Sequence, residues 1–163
     1  MQRLFTPWRF SYISESVPQD GCFFCEAARN PDDPSRLVVY VGDYHLVMLN
    51  KYPYTNGHLL ISPLSHIADP LEAEAGATAE FWPLVLRSQD VLERVYKPQG
   101  FNMGMNLGKA GGAGVPSHFH YHVVPRWEGD TNFMTVLAEV RLVPEEPAAV
   151  LERLRPIFQE EQA

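Results

Sequence analysis

Short apolar runs in the first half of the chain predict a β-sheet. Three such runs, at Leu37–Val41, His45–Leu49 and His58–Ser62, have the length and composition of buried strands. A Gly-Asp pair separates the first two runs and predicts a tight turn between them. A further strand is predicted at Phe101–Leu107. We therefore expect antiparallel strands that are joined by short connections.

The most regular alternation lies at Ser117–Pro125, where His118, His120 and His122 are separated by bulky apolar residues. Successive side chains of a strand point to opposite faces, so the three imidazoles are expected to share one face. The glycine-rich stretch Gly111–Gly114 precedes them. Such a loop can bring backbone N–H groups close to an anion. The pattern indicates phosphate chemistry, with histidine as nucleophile or metal ligand.

Two segments have helical spacing of apolar residues. The longer one, Ala77–Tyr96, has Thr78 as a candidate N-cap and ends before Pro98, while Pro83 predicts an irregular start. A short C-terminal helix is predicted at Ala148–Gln162. The expected fold class is α+β, with an antiparallel sheet of about five strands, a long helix and a short C-terminal helix. No repeat or linker interrupts residues 1–163, so one domain is expected.

Composition narrows the choice of partners. The 163 residues carry a formal net charge of −7, which disfavours a protein that holds nucleic acid by its phosphate backbone. No run reaches the roughly 18 apolar residues of a membrane helix, and the N-terminus lacks the apolar core of a signal peptide. We expect no nucleic-acid or membrane partner and a cytoplasmic location.

The two cysteines, Cys22 and Cys25, form a Cys-x-x-Cys pair. In a cytoplasmic protein such a pair indicates a metal site or a redox site more often than a structural disulfide. A thioredoxin-like role would place the pair at the start of a helix after a strand, whereas the preceding Val17–Gly21 reads as a turn. Two thiolates and two histidines would complete a tetrahedral zinc site.

The run His118-Phe-His120-Tyr-His122-Val-Val resembles the signature of the histidine-triad (HIT) superfamily of nucleotidyl hydrolases and transferases. The aromatic segment Leu4–Ile13 and the later run Arg-Trp-Glu-Gly-Asp-Thr-Asn-Phe are similar to the branch that contains the diadenosine tetraphosphate phosphorylases (ATP adenylyltransferases). The resemblance implies a HIT-like fold with an N-terminal zinc-binding arm. It also implies a homodimer, with contacts from the helix near Phe81–Tyr96 and the strand Phe101–Leu107.

The same resemblance implies roles for single residues. His120 would attack the α-phosphorus, and His122 would lie near the bridging oxygen, where a proton donor can assist departure of the leaving group. Asn50 would contact a ribose hydroxyl, and His58 would support the site. His45 matches no role in the family, so a surface or strand-end position is expected.

The resemblance implies a closed, structural zinc site made by Cys22, Cys25, His66 and His118. For the phosphates there is one departure from the family pattern. Many HIT enzymes carry a hydroxyl or amide shortly before the first motif histidine, where this chain has Gly-Val-Pro. Contacts are instead expected from loop backbone, from Lys109 or from the segment 132–135. The nucleotide- and phosphate-binding candidates are Asn50, Asn106, Gly112, Gly114, Val115 and Asn132.

The implied function is cleavage of dinucleoside polyphosphates through a covalent nucleotidyl-histidine intermediate on His120, as a phosphorylase or a hydrolase. Either phosphate or water can accept the nucleotidyl group, and the sequence leaves both open. One alternative is a HIT-fold nucleotide-binding regulatory protein with little turnover. Others are a nucleoside phosphoramidate or adenylate hydrolase and removal of adenylate from DNA ends. The net charge and the lack of an appended DNA-binding domain disfavour the last of these.

Overall fold

The structure is a computed structural model that describes residues 21–130 and 144–160. Within these two ranges no helix has both the length and the apolar character needed to cross a membrane. The aromatic segment Leu4–Ile13 and Asn132, both singled out from the sequence, lie outside the described residues.

An open five-stranded antiparallel sheet forms the centre of the fold. Its strands are β1 (Val38–Val41), β2 (His45–Leu49), β3 (Leu59–Pro63), β4 (Gly100–Met105) and β5 (Tyr121–Arg126). They are arranged in the order β1-β2-β3-β5-β4, so β1 and β4 are the outermost of the described strands. The predicted α+β class with an antiparallel sheet is confirmed.

Two helices cover one face of the sheet. They are α2 (Ala75–Tyr96) and α3 (Pro147–Glu160), and their apolar residues pack with Val47, Ile61 and Val123 in the larger core cluster. Burial of such side chains provides the main driving force for folding. Apolar side chains fill this face of the sheet, which is structural and does not contribute to the site.

The opposite face of the sheet carries the site. A row of paired residues crosses all five strands: Val38, Met48, Leu60, His122 and Gly104. Directly paired residues in antiparallel strands point to the same face. A short helix, α1 (Phe23–Arg29), covers the β1 and β2 end of this row through its buried Phe24 and Ala27.

Several sequence-based boundaries differ from the structure. The helix α1 was not predicted, and α2 begins at Ala75 after Glu74, so Thr78 lies inside the first turn and is not the N-cap. Pro83 is accommodated within α2. The strand of the histidine motif begins only at Tyr121, because its pairing with β3 ends at Ile61.

His45 lies at the start of β2, as a strand-end residue, but it is buried and not on the surface. Its Nδ1 lies 2.8 Å from Oε2 of Glu80 on α2. The same carboxylate accepts the N–H groups of Asp43 and Tyr44. His45 therefore ties the β1–β2 turn to the long helix, which is a structural role.

Candidate active site and metal centre

Four potential metal ligands converge beside α1. Cys22 precedes this helix, Cys25 lies in its first turn, His66 follows β3, and His118 precedes β5. One ligand atom from each residue lies within 4.8 Å of all the others. The structure thus brings together the four residues expected to bind zinc.

The ligand atoms have the spacing that a tetrahedral metal needs. His118 Nδ1 lies 3.2 Å from Cys22 Sγ and 3.6 Å from Cys25 Sγ, and His66 Nδ1 lies 3.3 Å from Cys25 Sγ. Zinc bonds of about 2.3 Å to sulfur and 2.0–2.1 Å to nitrogen place such ligand atoms roughly 3.5 Å apart. The residues therefore fit a zinc ion with two sulfur and two nitrogen ligands.

The orientation of His118 is fixed by its other ring nitrogen. Its Nε2–H donates to the carbonyl oxygen of Pro63 at 2.9 Å, which leaves the Nδ1 lone pair directed at the sulfurs. Burial lowers the pKa of His118 to about 4, so the ring is neutral and able to ligate. Burial and the adjacent Cys22 raise the pKa of the Cys25 thiol, and a bound dication would favour both thiolates.

His120 is buried and presents one nitrogen for chemistry. Its Nδ1 lies 3.2 Å from the carbonyl oxygen of His118, to which it donates its proton. In the neutral ring the Nε2 lone pair is then available. Burial lowers the pKa of His120, which keeps that lone pair unprotonated. These are the properties of an imidazole nucleophile.

His122 stands next to His120, with ring centroids 5.0 Å apart. Its Nδ1 lies 2.9 Å from His58 Nε2. His58 Nδ1 accepts the backbone N–H of Tyr54 at 3.1 Å and lies 3.3 Å from the amide nitrogen of Asn50. Burial, with a smaller contribution from His120, lowers the pKa of His122 to about 4. The motif strand and the loop after β2 are thus joined in one hydrogen-bonded chain.

The glycine loop between β4 and β5 lies directly before the triad. Asn106 donates to the carbonyl oxygen of Gly112 at 3.5 Å, and Gly112 has a φ of +83°, which favours glycine. The Gly112 N–H donates to Lys109 within the loop, so it is not available to a phosphate. Phosphate contacts from the N–H groups of Gly114 and Val115 stay a prediction.

Aromatic side chains around the triad were not identified from the sequence. The Phe24 ring packs against His118 and His120, with centroids 5.1 and 4.9 Å away. The Tyr54 ring lies nearly parallel to that of His122, with an interplanar angle of 14° and a centroid distance of 6.0 Å. Phe24 lies in the helix α1, which was not predicted, and Tyr54 lies in the loop between β2 and β3, so only the fold brings the two rings to the histidines.

A cavity of about 250 Å³ lies beside Tyr54, whose ring is nearly parallel to that of His122. It is lined by Tyr54, Thr55, Asn56, Trp127, Asp130 and Pro144. Arg126 holds the turn that carries Trp127 through a paired contact with the Asp130 carboxylate, at 2.5 and 2.7 Å. The rings of Tyr54 and Trp127 offer flat surfaces that suit a planar ligand, and Thr55, Asn56 and Asp130 add polar groups.

The family model described as the HIT domain matches residues 32–129, which include the triad and the Asn50–His58 loop. The chain belongs to the HIT family. Its sequence is 34% identical over 152 residues to a protein named AP-4-A phosphorylase in Mycobacterium tuberculosis, covering 89% of this chain and 78% of that one. A protein named adenylylsulfatase in Arabidopsis thaliana is 30% identical over 118 residues, covering 72% of this chain and 58% of that one.

Solved structures of HIT proteins share the fold. A Zn-bound histidine triad family protein from Mycobacterium smegmatis superposes with a TM-score of 0.68 at 26% identity, covering 87% of this chain and 96% of that one. A hypothetical histidine triad nucleotide-binding protein from Sulfolobus tokodaii gives the same TM-score and identity, covering 86% and 94% of the two chains. The HIT-like fold expected from the motif is confirmed.

Proposed function

We propose that this HIT protein cleaves dinucleoside polyphosphates through a nucleotidyl group carried covalently by His120. The observation that carries the proposal is the hydrogen bond from His120 Nδ1 to the His118 carbonyl, because it leaves Nε2 as the nucleophilic nitrogen. The likeness to the protein named AP-4-A phosphorylase supports a dinucleoside tetraphosphate as the substrate.

The residues around His120 suit the stages of such a reaction. The Nε2 lone pair attacks the α-phosphorus, and the bond to the bridging oxygen breaks. In this proposal, backbone N–H groups of Gly114 and Val115, in the glycine-rich loop before the triad, receive phosphoryl oxygens as charge develops on them. His122 is the neighbour that can donate a hydrogen bond to the same phosphate. Phosphate or water then accepts the nucleotidyl group from His120.

A dinucleoside substrate also needs room for two bases. The cavity between Tyr54 and Trp127 lies beside the Tyr54 ring, which is nearly parallel to that of His122, and offers aromatic surfaces for one of them. The proposed ribose contact of Asn50 is supported by its position directly after β2, where its amide already lies 3.3 Å from His58 Nδ1. The segment that contains Asn132 completes the set of proposed nucleotide contacts.

We propose zinc as the metal of the Cys22, Cys25, His66 and His118 cluster. The two sulfur and two nitrogen donors and their spacing support this choice, as does the Zn-bound family structure from M. smegmatis. All four positions would be filled by protein atoms, so the ion would be structural. When bound, it would fix the first motif histidine, whose carbonyl oxygen holds His120.

A homodimer in the cytoplasm is the proposed state of the protein. Trp82 and Leu86 lie one turn apart on α2 and are 53% and 49% exposed, which supports an apolar contact with a second copy. Strand β4 is outermost among the described strands, a position that also suits contact with a second copy.

Product analysis with diadenosine tetraphosphate, with and without inorganic phosphate, tests the reaction. ADP plus ATP in the presence of phosphate is the result expected of phosphorolysis, and AMP plus ATP is that of hydrolysis. Nucleotide binding without release of either pair would contradict the proposal and favour the regulatory alternative.

A further inference from the structure

The hydrogen-bonded chain that reaches His122 begins at groups that only donate. The Tyr54 backbone N–H and the Asn50 amide nitrogen both face His58 Nδ1, at 3.1 and 3.3 Å. The Asn50 amide is oriented by its Oδ1, which accepts the N–H of Tyr52 at 2.9 Å. A ring nitrogen that faces N–H donors must be the unprotonated one. The proton of neutral His58 is therefore on Nε2.

The position of that proton determines the tautomer of His122. His58 Nε2 lies 2.9 Å from His122 Nδ1, so it donates and His122 accepts. The proton of neutral His122 is then on Nε2, the nitrogen on the far side of the ring from His58. An imidazolium at His122 would place a second N–H against that of His58. Moving the His58 proton to Nδ1 would instead oppose the Tyr54 N–H, and leaving buried donors without acceptors is costly.

We infer that Asn50 and the Tyr54 N–H, acting through His58, hold His122 as a neutral hydrogen-bond donor, so that the site releases only leaving groups that depart without a proton. The inference rests on the proposed nucleotidyl transfer. The family resemblance implies that His122 assists departure of the leaving group as a proton donor. In this inference His122 donates a hydrogen bond but does not transfer its proton. Asn50 and His58 are positioning residues in this role. The low pKa of His122, caused by burial, is in keeping with a neutral ring.

The reaction balances without a proton from His122. The His120 Nε2 electron pair forms the P–N bond, while the electron pair of the breaking P–O bond leaves with the polyphosphate anion. An oxygen of the acceptor phosphate then forms a new P–O bond, and the P–N pair returns to His120. The substrate class is thus an anhydride of the nucleoside phosphate. Phosphoramidates and esters of alcohols are poor substrates, because an amine or alkoxide leaves slowly without protonation.

Nuclear magnetic resonance of the full chain, loaded with zinc and labelled with ¹⁵N at histidine, tests the tautomers without any turnover. Two-bond ¹H–¹⁵N spectra at pH 7 should show both His58 and His122 as neutral rings with the proton on Nε2. The His122→Gln variant assigns the signals by removing one set. An imidazolium at His122, or a proton on His58 Nδ1, would overturn the inference.

A kinetic comparison tests the consequence for substrates. The wild type should cleave diadenosine tetraphosphate with a kcat/KM at least about a hundredfold above that for adenosine 5′-phosphoramidate, the range in which general acids contribute. Asn50→Asp places a carboxylate beside His58 Nδ1, which favours a proton there and permits an imidazolium at His122. The ratio should then fall by about tenfold or more, because the variant gains a proton donor for the amine.

Asn50→Ala is the matched control, because it removes one of the two donors to His58 but adds no carboxylate and retains the closer Tyr54 N–H, so the ratio of the two rates should change far less than in Asn50→Asp. Both substrates carry adenosine, so a lost ribose contact cancels in that ratio. A wild-type ratio near one, or an unchanged ratio in Asn50→Asp, would overturn the inference. Failure to cleave either substrate would refute the proposed function instead, and the resonance experiment would still decide the tautomers.

Discussion

Removal of one sulfur ligand should destabilise the whole domain. We choose Cys25→Ser, because Cys25 Sγ lies close to both His66 and His118 and a serine hydroxyl is a poor zinc ligand. The four ligands come from three separate segments, at α1, after β3 and before β5. Loss of the metal therefore releases contacts between distant parts of the chain.

The size of the effect follows from linkage between binding and folding. A ligand present at a thousand times its dissociation constant stabilises the native state by about 4 kcal/mol. For a domain of this size, each kcal/mol corresponds to roughly 2–4 °C in Tm. We expect the Tm to fall by about 8–16 °C when zinc is removed by a chelator or when Cys25 is replaced. Activity should fall too, because the His118 carbonyl that orients His120 belongs to the same segment.

Thermal unfolding monitored with and without a chelator is the assay, together with elemental analysis and titration of the thiols. The wild type should contain one zinc ion and protect both thiols until the chelator is added. Cys25→Ser with chelator is the control, and it should show no further shift. A wild type without metal, with two reactive thiols and a Tm that the chelator does not change, would refute the reasoning.

Three further predictions concern the triad face and the assembly. A Cβ at Gly104, the residue paired with His122, meets no atom within 4 Å, so the Gly104→Leu variant should fold. The added side chain should raise KM by about tenfold or more. Gly100→Ala, on the same strand, should leave KM unchanged. The pKa of His122 is lowered from 6.5 to about 4, so between these pH values the unfolded state binds more protons than the folded state. The free energy of unfolding should therefore fall as the pH falls from 6.5 to about 4. Denaturant titrations should show that this decline is smaller in the His122→Asn variant. Light scattering at micromolar concentration should give a dimer, and a monomer would refute an interface formed by Phe81–Tyr96 and Phe101–Leu107.

The elements that the sequence predicted well are those with a strong apolar period. The strands of the sheet and the long helix follow such patterns, and their bounds moved by only a few residues. The helix α1 was missed because it has only seven residues, and its signal is limited to the buried pair Phe24 and Ala27. Tertiary packing on the sheet, and not local propensity, stabilises so short a helix.

The candidate site was predictable as a set of residues but not as a set of contacts. The spacing of the motif identified its histidines, although only His122 lies within a strand, and the metal ligands could be named from the cysteines and the family pattern. The acceptor of the His120 proton is a backbone carbonyl, and the closer of the two donors to His58 is a backbone N–H. Contacts with backbone groups cannot be predicted from residue types, so the tautomers of His58 and His120 could be assigned only from the structure.

The covalent nucleotidyl group on His120 is the central claim, and trapping it is the most direct test. Wild-type protein mixed with diadenosine tetraphosphate should be quenched in base within one turnover, because a phosphoramidate is stable in base and labile in acid. Mass spectrometry should then find one adenylyl group on the peptide that contains His120, and none in the His120→Ala variant, whose fold and zinc content should be unchanged. Continued turnover by the His120→Ala variant at the wild-type rate, or an adduct on another residue, would contradict the account.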